Sequence, residues 1–320
     1  MAAVRIVQEE IGAEAEVCTH LSLKFNYAQN FDRSLQRVDG LLSGLCDLGQ
    51  PRVLLVSGGG PKKKFNTCSV LEALAARAGA LPNGLVLSAA FNPYLPASEM
   101  DTERTRMRDK LATGLVQEVY LQIGTDLQRL REGLEFLRSL ESDMGRAPKR
   151  QRTLDGAQGG RRGASGPLRL YGSVFLPSKR LLAQMKFRRD RRTSIDSCTS
   201  GGCRGTRPGA HTGGRRTSWI RCFCVVEPNQ QDAPRSRPNP SRLASRFFPL
   251  CLVNRPWNGV FLSDEYLSDV AAAERITKEL LGVYSEYGVT PLVETAVRTD
   301  AEMAAALRLL DTASSCPDAS

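Results

Sequence analysis

The sequence predicts an α/β protein built on a parallel sheet. Three observations carry that reading. Short, almost uninterrupted apolar runs such as Val53-Leu-Leu-Val and Leu85-Val-Leu-Ser-Ala-Ala alternate with longer amphipathic runs. Strands buried on both faces read in this way, and parallel sheets bury both faces. Glycine, proline and asparagine punctuate nearly every join between the two kinds of run. The 320 residues are enough for one large domain or two small ones.

In order, Val4 to Glu16 reads as a helix and Leu21 to Phe25 as a strand ending in Asn26. Phe31 to Leu48 places Leu35, Val38, Leu41, Leu42 and Leu45 at helical spacing. Arg52 to Ser57 is a strand closed by Gly58, Gly59, Gly60 and Pro61. Asn66 to Ala78 is helical and Gly84 to Phe91 is a strand, after which Pro93 and Pro96 force the chain open. Glu99 to Thr113 is a charged helix, Gln117 to Gln122 a strand, and Asp126 to Leu140 a helix that Asp126 is placed to cap. The pattern returns with a strand over Leu170 to Leu176 and a short helix from Ser178. A strand over Pro256 to Leu262, a helix over Asp264 to Glu286, a strand over Pro291 to Glu294 and a helix over Asp300 to Leu310 complete it. Thr299 and Glu302 form a capping-box pair at that last start.

Two stretches stand apart. The net charge of +10 is concentrated in residues 145–166, a basic linker, and in residues 189–254, which hold 12 Arg, no Lys and 4 acids. Outside them the chain is mildly acidic, so the excess charge belongs to no packed face. The second stretch is rich in Gly, Pro, Ser and Arg and shows neither helical nor strand period, so a disordered insertion is expected there. Met185-Lys-Phe-Arg188 would join sensibly to Arg255-Pro-Trp-Asn-Gly, which is the pattern of a translated intron. The expected organisation is residues 1–188, the insertion 189–254, and residues 255–320.

Several functions are disfavoured by residue types. No apolar run approaches the roughly 18 residues of a membrane span. The first ten residues carry two glutamates and no apolar core, unlike a secretory signal, and the expected compartment is the cytoplasm. Nine cysteines, five of them in the insertion, read as reduced thiols. The gaps between Cys198 and Cys203 and between Cys222 and Cys224 fit structural zinc poorly, so no metal is expected. His20 and His211 lie in unrelated contexts and offer no nucleophile–histidine engine. The arginine-rich insertion has little aromatic interleaving for base stacking, which makes nucleic acid a weak candidate partner.

A parallel β/α alternation admits an open doubly wound sheet or a (β/α)8 barrel, and in both the chemistry sits at the carboxyl ends of the strands. The candidate positions are therefore Asn26, Ser57 to Lys64, Phe91 to Tyr94, Gln122, Pro177 to Lys179 and Glu294. Ser57-Gly-Gly-Gly-Pro-Lys-Lys-Lys could cradle a phosphate, although it matches neither standard glycine-rich motif and reads equally as a turn with a basic rim.

At these strand ends the sequence resembles the methylenetetrahydrofolate reductase family. His20-Leu-Ser-Leu is similar to that family's third strand, and Arg52-Val-Leu-Leu-Val-Ser-Gly-Gly-Gly-Pro to its fourth. Ser88-Ala-Ala-Phe-Asn-Pro-Tyr-Leu-Pro resembles the fifth. Asp109-Lys-Leu-Ala-Thr-Gly114 followed by Tyr120-Leu-Gln-Ile-Gly-Thr-Asp126 resembles the next pair of motifs. Tyr171-Gly-Ser-Val-Phe-Leu-Pro177 and Gly288-Val-Thr-Pro-Leu follow in the family's order. The resemblance implies a (β/α)8 TIM-type barrel lacking its first two strands. It also implies FAD at the barrel mouth, hydride from NADH or NADPH, and a methylene-folate acceptor. It would place Lys110 near the FAD phosphates and Phe91 beside the cofactor. Gln122 would lie against folate or flavin, and Ser57, Gly58, Ser88, Ala89 and Ala90 would line the channel. Gly59 stands where the family has an aspartate and Leu95 where it has a histidine. A catalytically inactive folate-, flavin- or partner-binding relative is thus the alternative, an RNA-associated protein a further one, and a homo-oligomer is an assembly compatible with each.

Overall fold

In the computed structural model, the described residues are 16–27, 30–57, 65–77, 81–146, 167–175, 177–179, 181–183, 185, 221–225, 260–293, 304 and 308. They form seven strands and seven helices. The order is β1 (Glu16–Ser22), α1 (Leu23–Asn26), α2 (Phe31–Asp47), β2 (Arg52–Val56), α3 (Thr67–Ala76), β3 (Val86–Phe91), α4 (Ala97–Ala112) and β4 (Val116–Leu121). It continues with α5 (Leu127–Arg146), β5 (Arg169–Val174), β6 (Arg221–Val225), α6 (Asp264–Ser268), α7 (Val270–Tyr287) and β7 (Val289–Val293).

One sheet contains all of these strands, in the order β6-β1-β2-β3-β4-β5-β7. All neighbours are parallel except β6, which runs antiparallel to β1. The six parallel strands therefore follow one another in chain order without a reversal, unlike a doubly wound sheet, whose order reverses at a switch point. The sheet curls into an open half-barrel with helices between its strands. No helix among the described residues is long and apolar enough to cross a membrane.

Alternation along each strand sorts side chains between two faces. Val53, Leu55, Leu87, Ala89, Phe91, Val119, Leu121, Leu170 and Val174 join one core cluster with residues of α2 to α5 and α7. The intervening positions Cys18, Leu54, Tyr120, Tyr171 and Leu292 form a separate buried cluster on the inner face. At about 25 cal/mol per Å² of apolar surface, the larger helix-side layer is the main source of stability.

Helix starts follow their caps. Asn30 accepts from the Arg33 backbone N–H, Asn66 forms a reciprocal box with Ser69, and Asp126 accepts from the Arg129 N–H at 3.1 Å. The long helix expected over Asp264 to Glu286 is instead two, because Ser263 caps α6 while Asp269 leaves the helical region and caps α7. Gly288 ends α7 at φ 64°, a conformation that suits glycine.

Three expectations are corrected. The first strand begins at Glu16, and Leu23–Asn26 is a helical turn whose Asn26 amide donates to the Ser22 carbonyl at 2.8 Å. Its Thr19 and His20 interrupt the apolar run that marks the other strands. The strand expected at Pro256 to Leu262 is, among its described residues, a single bridge between Gly124 and Phe261. Within 189–254, where no strand period is legible, Arg221–Val225 form β6. A five-residue strand draws its stability from its neighbour's edge, which local sequence does not display. The rest of that interval, the helix expected over Val4 to Glu16, and the Thr299–Glu302 box lie outside the described residues.

Gly172 fixes how α7 meets β5. A Cβ there would fall 2.2 Å from Cζ of Tyr284, whose buried hydroxyl donates to the Ser173 carbonyl at 3.3 Å. Gly172→Ala is expected to destabilise the protein by about 1–3 kcal/mol through overpacking, read as a lower urea midpoint. Gly282→Ala, in α7 with nothing within 4 Å of the added Cβ, is the control and should not lower the midpoint.

Candidate functional site

The inner face of the half-barrel is filled rather than hollow. Tyr120 and Tyr171 stack at 4.8 Å between ring centroids, and His20 meets Tyr120 edge-on at 6.0 Å. Beneath them lies a charged cluster around Glu118, which is fully buried. Its Oε1 is 3.3 Å from Arg52 Nε and 2.9 Å from Arg169 Nη2, and accepts from the Tyr171 hydroxyl at 3.4 Å. Its Oε2 accepts from Ser88 Oγ at 2.8 Å. Arg52 also donates to the Tyr171 oxygen at 3.2 Å. The register explains the convergence: Ser88 lies opposite Glu118, and Glu118 opposite Arg169, at neighbouring inward positions of β3, β4 and β5.

Both Glu118 oxygens are thus engaged inside the protein. A buried carboxylate with several charge-assisted bonds is a structural anchor and is poorly placed to reach a ligand. Cys18, on the same face, is a free thiol whose pKa burial pushes up to about 12, the Glu118 charge adding to the effect. Burial also raises the Tyr120 hydroxyl. Neither is an activated nucleophile at neutral pH.

A ligand would therefore meet the protein at the rim formed by the carboxyl ends of the strands. Gln122 stands there, half-buried, just past β4, with its backbone N–H donating to the Phe91 carbonyl at 2.9 Å. Ala90 takes an inward position and packs against the inner cluster. Ser57 follows β2, and its Oγ accepts from the Thr67 N–H at 2.9 Å and pairs with Thr67 Oγ1 at 2.8 Å, which ties the strand end to the start of α3. Next to the rim, Tyr94, Thr125, Asp126, Arg129, Phe261 and Ser263 surround an open depression of about 240 Å³. Several of its polar groups are engaged: Arg129 donates to the Tyr94 and Leu95 carbonyls, and Thr125 Oγ1 accepts from the Ser263 N–H.

Other expected contacts lie elsewhere. Lys110 approaches from the helix side, is 8% exposed, and donates to the Ala90 carbonyl at 2.9 Å, so its ammonium is held by β3 rather than by an open mouth. Phe91 is fully buried among the helices, its ring 5.7 Å from that of Phe136, and Ala89 shares that layer. Their outward parity is the reason: residues 89 and 91 alternate with the inward Ser88 and Ala90. Lys110 and Gln122 do act on consecutive carbonyls of β3, one through its side chain and the other through its backbone. Gly58, Gly59, the lysines of the glycine-rich loop, Glu294, Cys198 and Cys203 lie outside the described residues.

The inner cluster of Arg52, Glu118 and Arg169 was missed from sequence. The signal was present: charged residues inside or at the start of otherwise apolar strands, all at one parity. No known family model matches the chain, and no curated protein is similar enough to count as a relative.

Two measurements check this description. Glu118→Gln removes the negative charge beside Arg52, which is 7% exposed, and is expected to cost about 3 kcal/mol of unfolding free energy. Arg169→Ala, with its side chain 46% exposed, should cost much less. For Cys18 the folded state keeps its proton from the unfolded value of 9.0 up to about 12. Its contribution is present below about pH 9 and is lost as pH rises through that window. Cys18→Ala should flatten the alkaline limb of the stability–pH curve between those limits.

Proposed function

We propose that this chain is a catalytically silent relative of the methylenetetrahydrofolate reductase barrels that binds a folate-type ring at its strand-end rim. In this reading the six parallel strands correspond to strands three to eight of a (β/α)8 barrel. Their unbroken chain order supports it, as does the order of the motifs along them.

The observation that carries the loss of catalysis is the engagement of both Glu118 oxygens with Arg52, Arg169, Ser88 and Tyr171. The resemblance expects an acid at the Gly59 position, and glycine supplies none. Two of the residues expected to hold FAD do not fit it: Lys110 is bonded to the Ala90 carbonyl and Phe91 faces the helices. No redox step is therefore assigned to this chain. Gln122 supports a binding role, because a primary amide presents a donor and an acceptor in one plane, as the edge of a pterin ring requires.

A second reading, a flavin-dependent NAD(P)H oxidoreductase, is favoured by the positions of Ala90 and Gln122 at the rim. Calorimetric titration of purified protein with tetrahydrofolate and with FAD separates the two, combined with absorbance after addition of NADH or NADPH. The expected result is folate binding, weakened roughly tenfold in Gln122→Ala through the loss of hydrogen bonding, with no flavin retained and no nicotinamide consumed. A yellow protein bleached by NADH or NADPH would establish the second reading. Absence of folate binding would remove the first.

A further inference from the structure

The edge of β1 carries no protection of its own. Glu16-Val-Cys-Thr-His-Leu-Ser contains no proline and no lysine, has one charge at its very start, and pairs with β2 without a bulge. Edge strands that remain open to solvent are usually short, kinked, proline-bearing or charged, because a row of unpaired backbone groups templates pairing with another chain. β1 is instead composed like a covered strand, and what covers it is β6. Residues Arg221 to Val225 pair with His20 to Glu16 in antiparallel register, Thr19 opposite Cys222 and Val17 opposite Cys224.

Two features distinguish β6 from the other described strands. It is the antiparallel member of the sheet, and it comes from far along the chain, with 46 residues between it and the end of β5 and 35 between it and the bridge residue Phe261. Loop-closure entropy opposes such a distant pairing, so the cover is held by its ladder rather than by a short connection. We propose that β6 is an in-cis cover of the β1 edge, and that this edge, once uncovered, pairs with the β1 edge of a second copy of the chain. The antiparallel sense is the argument for that occupant. Two identical strands related by a two-fold axis can meet edge to edge only antiparallel, which is the direction β1 already accepts from β6. Two half-barrels would then share one continuous sheet across the axis. The arginine-rich interval thereby acquires a role that its composition does not suggest: it keeps the half-barrel from self-association.

Light scattering after gel filtration tests this on the full chain, on a variant lacking residues 189–254, and on Phe223→Pro. Cys222→Pro is combined with it, so that whichever of the two neighbouring backbone N–H groups faces β1 is lost, and the rest of the interval stays in place. The full chain is expected to be monomeric, and both variants to dimerise at concentrations at least about tenfold lower. If the deletion variant does not fold, the double-proline variant decides: dimerisation supports the cover, and a monomer overturns it. A second measurement locates the strand directly. In Val17→Cys, peptide mapping after mild oxidation should find the new thiol joined to Cys224 within one chain, and the linked protein should stay monomeric. A full chain that is already dimeric, variants that remain monomeric, or an introduced thiol that never links to Cys224 would each overturn the proposal.

Discussion

The carboxylate of Glu118 joins four adjacent strands. It sits on β4 and bonds Arg52 on β2, Ser88 on β3, and both Arg169 and Tyr171 on β5. Where neighbouring strands are all parallel, hydrogen-bonded ladders alone tolerate a slip of two residues without moving any side chain to the wrong face. A buried charge with four specific partners does not, since a slip would leave it unpaired in a medium where that is costly. The cluster thus acts as a register lock at the centre of the arc. The Tyr120–Tyr171 stack lies directly above and depends on the same alignment.

That lock also divides the molecule into a part that can meet ligands and a part that cannot. Inward residues in the lower half of the sheet pack against one another, so the interior resembles the filled core of a small barrel. Arg169, at the amino end of β5, is 46% exposed, and the carboxyl ends of the described strands reach the surface. Ser57, Gln122 and the depression beside Tyr94 and Phe261 are all there, but each is tied to backbone nearby. Such a rim is pre-organised by its own hydrogen bonds.

Most of the framework was legible because it rests on periodicity. Leu35, Val38, Leu42 and Leu45 lie on the buried stripe that their spacing indicates, and Asp126 caps the helix it precedes. The candidate site was less legible, for reasons of parity and reach. A strand end was visible in Ser88-Ala-Ala-Phe, but which of those residues faces inward is decided by the register with β4, where the pairing shifts between Leu87 and Ser88. Lys110 was expected at the rim because the resemblance places it near the FAD phosphates. Its long side chain instead turns to a backbone carbonyl that the β2–β3 ladder does not extend to. β6 was hidden altogether, since a strand of five residues among arginines and glycines leaves no periodic trace.

The last strand of the arc carries a different lesson. β7 completes the row by lying beside β5, with Leu170 opposite Val289, although 119 positions separate the two in the chain. α7 seals the join through Tyr284 over Gly172, and Phe261 clasps Gly124 at the top. These contacts are carried by shape and hydrogen bonding, with no help from a short covalent connection. The arc from β1 to β5 and the unit from α6 to β7 therefore behave as two complementary pieces of one sheet. Their docking is a long-range event in folding, subject to the slow kinetics that distant pairing imposes.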